Sequence, residues 1–209
     1  MTAPRRVLLI QTQAENAGAQ EITRILGGGL SSRGYEVSNL FFFRKSSTFS
    51  EQPNTFYCAA DRPSSPLQLL RMIYNLARHI RRIRPDLILS FQHYGNMIAA
   101  PVAKLVCSAP VVANQVSALA TMSRLVRVVD FCLGAAGLFK VVTVNSIDVQ
   151  RVYAAYPRAY SHRVVHVAHG FAERTSALTR EQARDVFGLP RDTVPVSYTH
   201  LTLPTKRIV

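Results

Sequence analysis

The chain has 209 residues, of which 48% are hydrophobic and 18% charged; that is enough apolar content for a packed core and too mixed a composition for a disordered chain. The length suits one domain or one lobe of a larger enzyme. Lys+Arg number 25 and Asp+Glu 12, a formal net charge of +13 carried almost wholly by arginine, and such a surface favours anionic partners: phosphates, nucleic acid or an acidic membrane face.

Residues 7–10, Val-Leu-Leu-Ile, form a short continuous apolar run, the pattern of a strand buried on both faces. Behind Arg5 and Arg6 this run is too short for the core of a signal peptide. No run in the chain approaches the roughly 18–20 residues of a membrane span, so a cytosolic protein is expected. Apolar residues then recur at Ile22, Leu26 and Leu30, a helical spacing closed by Arg33-Gly34 as a basic last turn and a glycine stop. Gly27-Gly28-Gly29 inside this helix predicts either close packing on the sheet or a break. Residues 37–43 predict a second strand. Residues 44–65 are rich in Ser, Pro, Thr and Asn and read as a loop.

A helix is predicted over 67–84, with Leu69, Ile73, Leu76, Ile80 and Ile83 on one face, and Pro85 ends it. Strands follow at 87–91, 110–113, 141–144 and 164–168. Between them fall helices at 97–106, within 123–139 and at 147–155. A last helix over 179–187 is closed by Gly188. Cys58, Cys107 and Cys132 are scattered, which excludes a disulfide scaffold and gives no metal signature. There is no internal repeat. Apolar strands alternating with helices predict an α/β fold, a Rossmann-like parallel sheet with helices on both faces.

In such sheets ligands bind at the carboxyl ends of the strands, so the residues just after each strand are the candidates. After the first strand come Gly18, Ala19 and Gln20 at a helix start, where a glycine permits close backbone approach and free N–H groups suit a phosphate or carboxylate. An ordinary capped helix explains the same residues. There is no G-x-G-x-x-G, so a dinucleotide site is not indicated. His93, within Gln92-His93-Tyr94-Gly95-Asn96, and Asn114-Gln115-Val116-Ser117 place uncharged polar groups where a hydroxyl-rich ligand would sit. A lone histidine serves equally as a hydrogen-bonded structural residue. Asn145 and Ser146 suit capping of the next helix. His166 and His169-Gly170 close the last strand; the two histidines point to opposite faces, which argues against joint metal ligation.

Arg71, Arg78 and Arg82 share a face of the 67–84 helix opposite its apolar stripe. A basic amphipathic helix fits an anionic membrane surface, and it fits a solvated helix face as well. No nucleic-acid motif is present and the aromatics do not interleave with the arginines, so no nucleic-acid partner is expected.

The order of these segments resembles the amino-terminal lobe of the family 4 (group 1) glycosyltransferases of the GT-B fold. Arg6-Val7-Leu8-Leu9-Ile10, Ala17-Gly18-Ala19-Gln20-Glu21 and Arg33-Gly34-Tyr35-Glu36-Val37 are similar to the family's opening strand, Gly-Gly-Ala-Glu/Gln turn and helix end. Arg84-Pro85-Asp86-Leu87-Ile88, Pro110-Val111-Val112, Val142-Thr143-Val144-Asn145-Ser146 and Arg163 to Gly170 resemble its later strands and turns. The resemblance covers about residues 5–194. It implies sugar transfer from a nucleotide-sugar to a glycan or lipid-linked acceptor, with retention of configuration, in surface polysaccharide or glycolipid synthesis. The nucleotide-sugar is a substrate; no cofactor and no metal site are implied. On the same basis the turn at Gly18 to Gln20 faces the donor phosphates. His93, Asn114 and Gln115 fall on the acceptor side, and Asn145, Ser146, His169 and Gly170 line the cleft or its hinge. The catalytic residues stay unassigned. Ala17 stands where the family has the first glycine, Val116 where many members have histidine, and His169 where they have asparagine.

Residues 196–209 read VSYTHLTLPTKRIV, which resembles the translation of a transposase sequencing adapter. The expected layout is an acceptor-side lobe over 1–172, the start of a donor lobe over 173–195, and a non-native tail over 196–209. The protein would then be one half of an enzyme and inactive alone. The alternative is a stand-alone α/β domain that binds an anionic ligand or membrane surface without catalysis.

Overall fold

The computed structural model describes residues 5–15, 18–45, 53–116, 122–170 and 176–194. The chain divides into two compact units, Met1–Phe171 and Ala172–Val209. The 196–209 segment, Ala17, Ser117 and residues 171–172 lie outside the described residues.

The first unit is a single parallel sheet of seven strands: β1 (Arg6–Ala14), β2 (Glu36–Arg44), β3 (Thr55–Ala59), β4 (Leu87–Phe91), β5 (Val111–Gln115), β6 (Val141–Val144) and β7 (Val164–His166). Their spatial order is β3-β2-β1-β4-β5-β6-β7, and every pairing is parallel. The connecting helices are α1 (Gly18–Ser31), α2 (Pro66–Ile83), α3 (His93–Val106), α4 (Arg124–Ala135), α5 (Ile147–Ala154) and the single turn α6 (Arg158–Ser161).

The strands sort their side chains by parity. Leu8 and Ile10 of β1, Leu40 and Phe42 of β2, Ile88 of β4, Ala113 of β5 and Val142 and Val144 of β6 point to one face. There they meet Met72, Leu76 and Ile80 of α2, Ala99 and Ala103 of α3 and Tyr153 of α5. Val7, Leu9 and Phe91 point to the other face, against Ile22, Leu26 and Leu30 of α1. The helices are thus unequally shared, with α1 on one face and α2 to α5 on the other.

Local chemistry sets the ends. Ser65 caps α2 by accepting from the Gln68 amide, Pro66 opens it, and Arg84 closes it in the left-handed region at φ 52°. Ser123 and Ser146 cap α4 and α5. The glycine triplet does not break α1. Gly27 is buried, and a Cβ there would lie 3.5 Å from Leu9 Cδ1 and 3.7 Å from Val37 Cγ1; Gly28 faces open space. The contacts at Gly27 are ordinary van der Waals distances, so close packing on the sheet requires glycine at neither position.

Two expectations are corrected. Residues 44–65 contain β3: Phe56 and Cys58 alternate inward and Tyr57 packs beside Phe41, so a strand pairs with β2 inside a polar stretch. The helix expected from 97 begins at His93, because the polar run after β4 turns directly into the first turn of α3. The second unit holds α7 (Arg180–Phe187), started by a Thr179–Gln182 capping box and closed by Gly188 at φ 61°. Arg184 donates to the carbonyls of Pro190 and Thr193 within this unit.

Candidate functional site

β1 pairs with β2 on one side and β4 on the other. The chain runs outward from β1 through β2 to β3, then crosses back to β4. The carboxyl ends of β1 and β4 are therefore the point where the winding reverses, which is where open α/β sheets bind ligands.

A cavity of about 510 Å³ lies there. Its polar wall is Thr12 and Gln13 from the end of β1, with Gln92 and His93 from the β4–α3 junction and Arg62 from the connection into α2. Its apolar wall is Phe42 and Phe43 from β2, Leu69 and Met72 from α2 and Ile98 from α3. Gln92 precedes α3 with φ 65° and ψ 150°, and no side chain caps the helix. That backbone region is sparsely populated by residues other than glycine and persists where surroundings hold it. The Thr12 hydroxyl donates to Gln92 Oε1, which ties the ends of β1 and β4 together.

His93 is half-buried, packs 4.3 Å from the Tyr94 ring, and has a buried Nδ1 with no hydrogen-bond partner. Burial lowers its pKa, so the imidazole is neutral near pH 7. Neutral imidazole, threonine and glutamine beside an aliphatic and aromatic wall can hold a hydroxyl-bearing ligand by its polar edge and its apolar face.

The other candidates separate by what they already bond. Gly18 opens α1 with nothing within 4 Å of a Cβ position and no positive φ, so neither packing nor backbone conformation requires glycine there. Ala19 supplies its carbonyl to Gln11 Nε2 at 3.3 Å, and Gln20, fully buried, donates to the Gln13 carbonyl at 2.9 Å. These bonds staple α1 to β1. Asn114 is partly exposed and its Oδ1 has no partner, while its carbonyl accepts from Asn96 Nδ2. Gln115 is fully buried and its amide is committed to Asp130. Ser146 acts as a cap, accepting from the Val149 amide at 3.2 Å, with the partly exposed Asn145 before it. His169 is partly buried, its Nε2 unpartnered and its pKa lowered by burial; Gly170 is exposed. Arg71, Arg78 and Arg82 are all exposed on α2. Among the described residues no three His, Cys, Asp or Glu side chains converge as a metal site requires.

Sequence reasoning missed Asp130. It is fully buried, accepting from Gln115 Nε2 at 2.7 Å and from the Tyr160 hydroxyl at 2.7 Å. Tyr153 stacks on Tyr160 with centroids 5.6 Å apart, and Gly134 leaves the room that the Tyr160 ring fills. A lone acid inside the apolar run of α4 was the available signal. The apolar wall of the cavity was also missed, because Phe42 reads as part of a buried strand, Leu69 as part of the helix's apolar face, and Met72 was not singled out.

No protein-family model matches the sequence, and no curated protein matches it. The fold has close counterparts among solved structures. Anabaena HepE, solved with UDP and glucose, superposes with a TM-score of 0.68 at 14% identity over 88% of this chain and 50% of its own. The lipopolysaccharide outer core galactosyltransferase WaaB gives 0.60 at 11% identity over 77% and 44%. The UDP-N-acetylglucosamine 2-epimerase of Rickettsia bellii gives 0.56 at 11% over 79% and 45%. The chain thus spans about half the length of each. The fold is the Rossmann-like half of a GT-B architecture. A transferase and an epimerase share it, so the fold alone does not choose the reaction.

Proposed function

We propose that this chain is the acceptor-side lobe of a glycosyltransferase that moves a sugar from a nucleotide-sugar to a glycan or lipid-linked acceptor. The observation that carries this reading is the two-walled cavity at the β1/β4 switch point, with the neutral imidazole of His93 on one side and Leu69, Met72 and Phe42 on the other. An acceptor lies with its hydroxyl against His93, Gln92 and Thr12 and its apolar part along α2. Gly18, open to solvent at the amino end of α1, leaves the helix start accessible to the donor diphosphate, whose developing charge free N–H groups stabilise. Transfer proceeds with retention and no resident cofactor, and needs a second lobe to bring the donor. Asn114, Asn145 and His169 lie at the ends of neighbouring strands and line the approach.

The lobe works on surface polysaccharide or glycolipid at the cytoplasmic face of a membrane, toward which α2 turns Arg71, Arg78 and Arg82. No helix among the described residues is long and apolar enough to cross a membrane. The residues of 196–209 are adapter-derived in this reading, and the gene continues into the donor lobe.

The test is to sequence the gene past codon 195 without transposase adapters, express the uninterrupted product and supply labelled nucleotide-sugars with lipid and glycan acceptors. Label transfer is expected, with His93→Ala raising the acceptor KM at least tenfold (about 1.4 kcal/mol, one hydrogen bond to a neutral group) while donor binding is unchanged. Sugar isomerisation without transfer, or a native stop codon directly after codon 209, would sink the proposal.

A further inference from the structure

Three helices of the first unit lie side by side on one face of the sheet: α2 packs on α3, and α3 on α4. Their outer surface has an unusual composition. None of the residues of α2 or α3 is acidic, and the one acid of α4, Asp130, is fully buried. The outer surface therefore displays no carboxylate on any of the three. Among the described residues, the exposed acids of this unit sit on other elements: Glu36 on β2, Asp61 before α2, Asp86 beside Arg6, and Asp148 on α5.

Cations and large apolar side chains share the layer. Along α2, Leu67, Leu70 and Tyr74 are 76%, 63% and 65% exposed on the outward side of the first half. Arg78, Arg81 and Arg82 continue that side in the second half. On α3, Tyr94 and Leu105 are exposed, with Lys104. On α4, Leu125 and Val128 stand out beside Arg124. Next to them is a shallow groove of about 460 Å³ lined by Arg124, Arg127, Val128, Phe131, Tyr156 and Pro157. Arg127 Nε is buried in its wall and has no hydrogen-bond partner.

We propose that the whole outer face of α2, α3 and α4 is the docking surface of this protein, and that its occupant is an anionic lipid bilayer. The proposal rests on the membrane side of the function proposed above and extends it from one helix to three. Charge complementarity selects the class of partner, since the cations of the three helices, with no exposed acid among them, attract an anionic surface. Aliphatic side chains between the cations favour lipid: Leu67, Leu70, Leu125 and Val128 can enter the acyl boundary, and Tyr74 and Tyr94 suit the headgroup level. A lipid phosphate in the α4 groove pairs with the guanidinium groups of Arg124 and Arg127, which line it. Docked this way, the edge of the cavity formed by Leu69 and Tyr94 lies at the lipid boundary, where an amphipathic acceptor enters without leaving the membrane.

The experiment is co-sedimentation of the 209-residue chain with vesicles of phosphatidylcholine alone and of phosphatidylcholine with phosphatidylglycerol. Binding to the anionic vesicles only is expected, weakening with salt. Arg81→Gln on α2 and Arg124→Gln on α4 should each reduce partitioning about fivefold, and Leu70→Ser and Leu125→Ser should reduce it as well. Arg33→Gln, at the end of α1 on the opposite face, should leave it unchanged; circular dichroism verifies that each variant is folded. Equal binding to both vesicle types, or α4 variants that bind like the parent, overturns the three-helix surface. Leucine variants that bind normally while duplex DNA competes fully overturn the lipid assignment in favour of nucleic acid. Neither result touches sugar transfer, which needs no vesicle to be measured, so the two proposals fail separately.

Discussion

At the scale of single residues, Asp130 shows how the tertiary structure changes what a side chain is. Burial raises its pKa from the ordinary aspartate value, against the hydrogen bonds from Tyr160 and Gln115, which lower it. The folded chain therefore keeps this proton to higher pH than the unfolded chain does. The stability it contributes is full below the unfolded carboxylate pKa and is lost as pH rises through the raised folded value. Asp130→Asn removes that titration. Gln115 can turn its amide, because its Oε1 has no partner, and so accept from the new Asn Nδ2. Urea unfolding between pH 4 and 7 should then show the stability of the parent, relative to the variant, declining as pH rises; a constant difference would contradict the assignment. Gly134 is the second such residue. A Cβ there would stand 2.3 Å from Tyr160 Cε2, so Gly134→Ala should destabilise by about 1–3 kcal/mol, read as a lower urea midpoint. Neither role was visible in the sequence. An acid and a glycine inside α4 acquire their meaning from Tyr160, which arrives from 30 residues further on.

At the scale of elements, periodicity carried most of the fold. Apolar runs of strand length located β1, β4, β5 and β6. The i, i+4 spacing of Met72, Leu76 and Ile80 makes the buried stripe of α2. β3 was hidden, since it is a short edge strand of mixed polar and apolar residues, only Cys58 of which is fully buried, and its neighbours are turn-formers. Its pairing with β2 supplies the order that local sequence does not. The glycine triplet gives a test at this scale. Gly28 is exposed inside α1 with no atom near a Cβ position, so Gly28→Ala should stabilise by about 1 kcal/mol. Gly27→Ala, whose Cβ would meet Leu9 and Val37 at ordinary contact distance, should gain at least as much, since the new methyl is buried. Thermal melts of the two variants decide this; a loss of stability in Gly27→Ala would mean that α1 packs closer to the sheet at Gly27 than its contacts show.

At the scale of the molecule, the uneven sharing of helices matters. Parallel sheets are ordinarily covered on both faces. Here, among the described residues, α1 covers β1 and β2 on its side, and along β5 to β7 the same side shows Val112, Val141 and Thr143 partly exposed and Val165 and Val167 about half exposed. An apolar patch of this kind promotes self-association of the chain in isolation. Val165→Lys with Val167→Lys should lower the weight-average mass seen in sedimentation at high concentration. No change would show that this face is already covered.

What the sequence determined by itself is the class of fold and the strand ends at which the candidate site lies. Strand and helix periods are local properties, and in a parallel α/β sheet the residues after each strand lie at one edge whatever the strand order. That is why His93, Asn114 and Asn145 could be nominated in advance. What only the tertiary structure decided is which of those residues remain available. Gln115 and Gln20 look like ligand groups in sequence, but they are spent on Asp130 and on the Gln13 carbonyl. The cavity wall of Phe42, Leu69 and Met72 exists because β2 and α2 meet across the end of β1. Hydrogen-bond partners and cavity walls come from residues far apart in the chain, and no local pattern encodes which distant groups a side chain will meet.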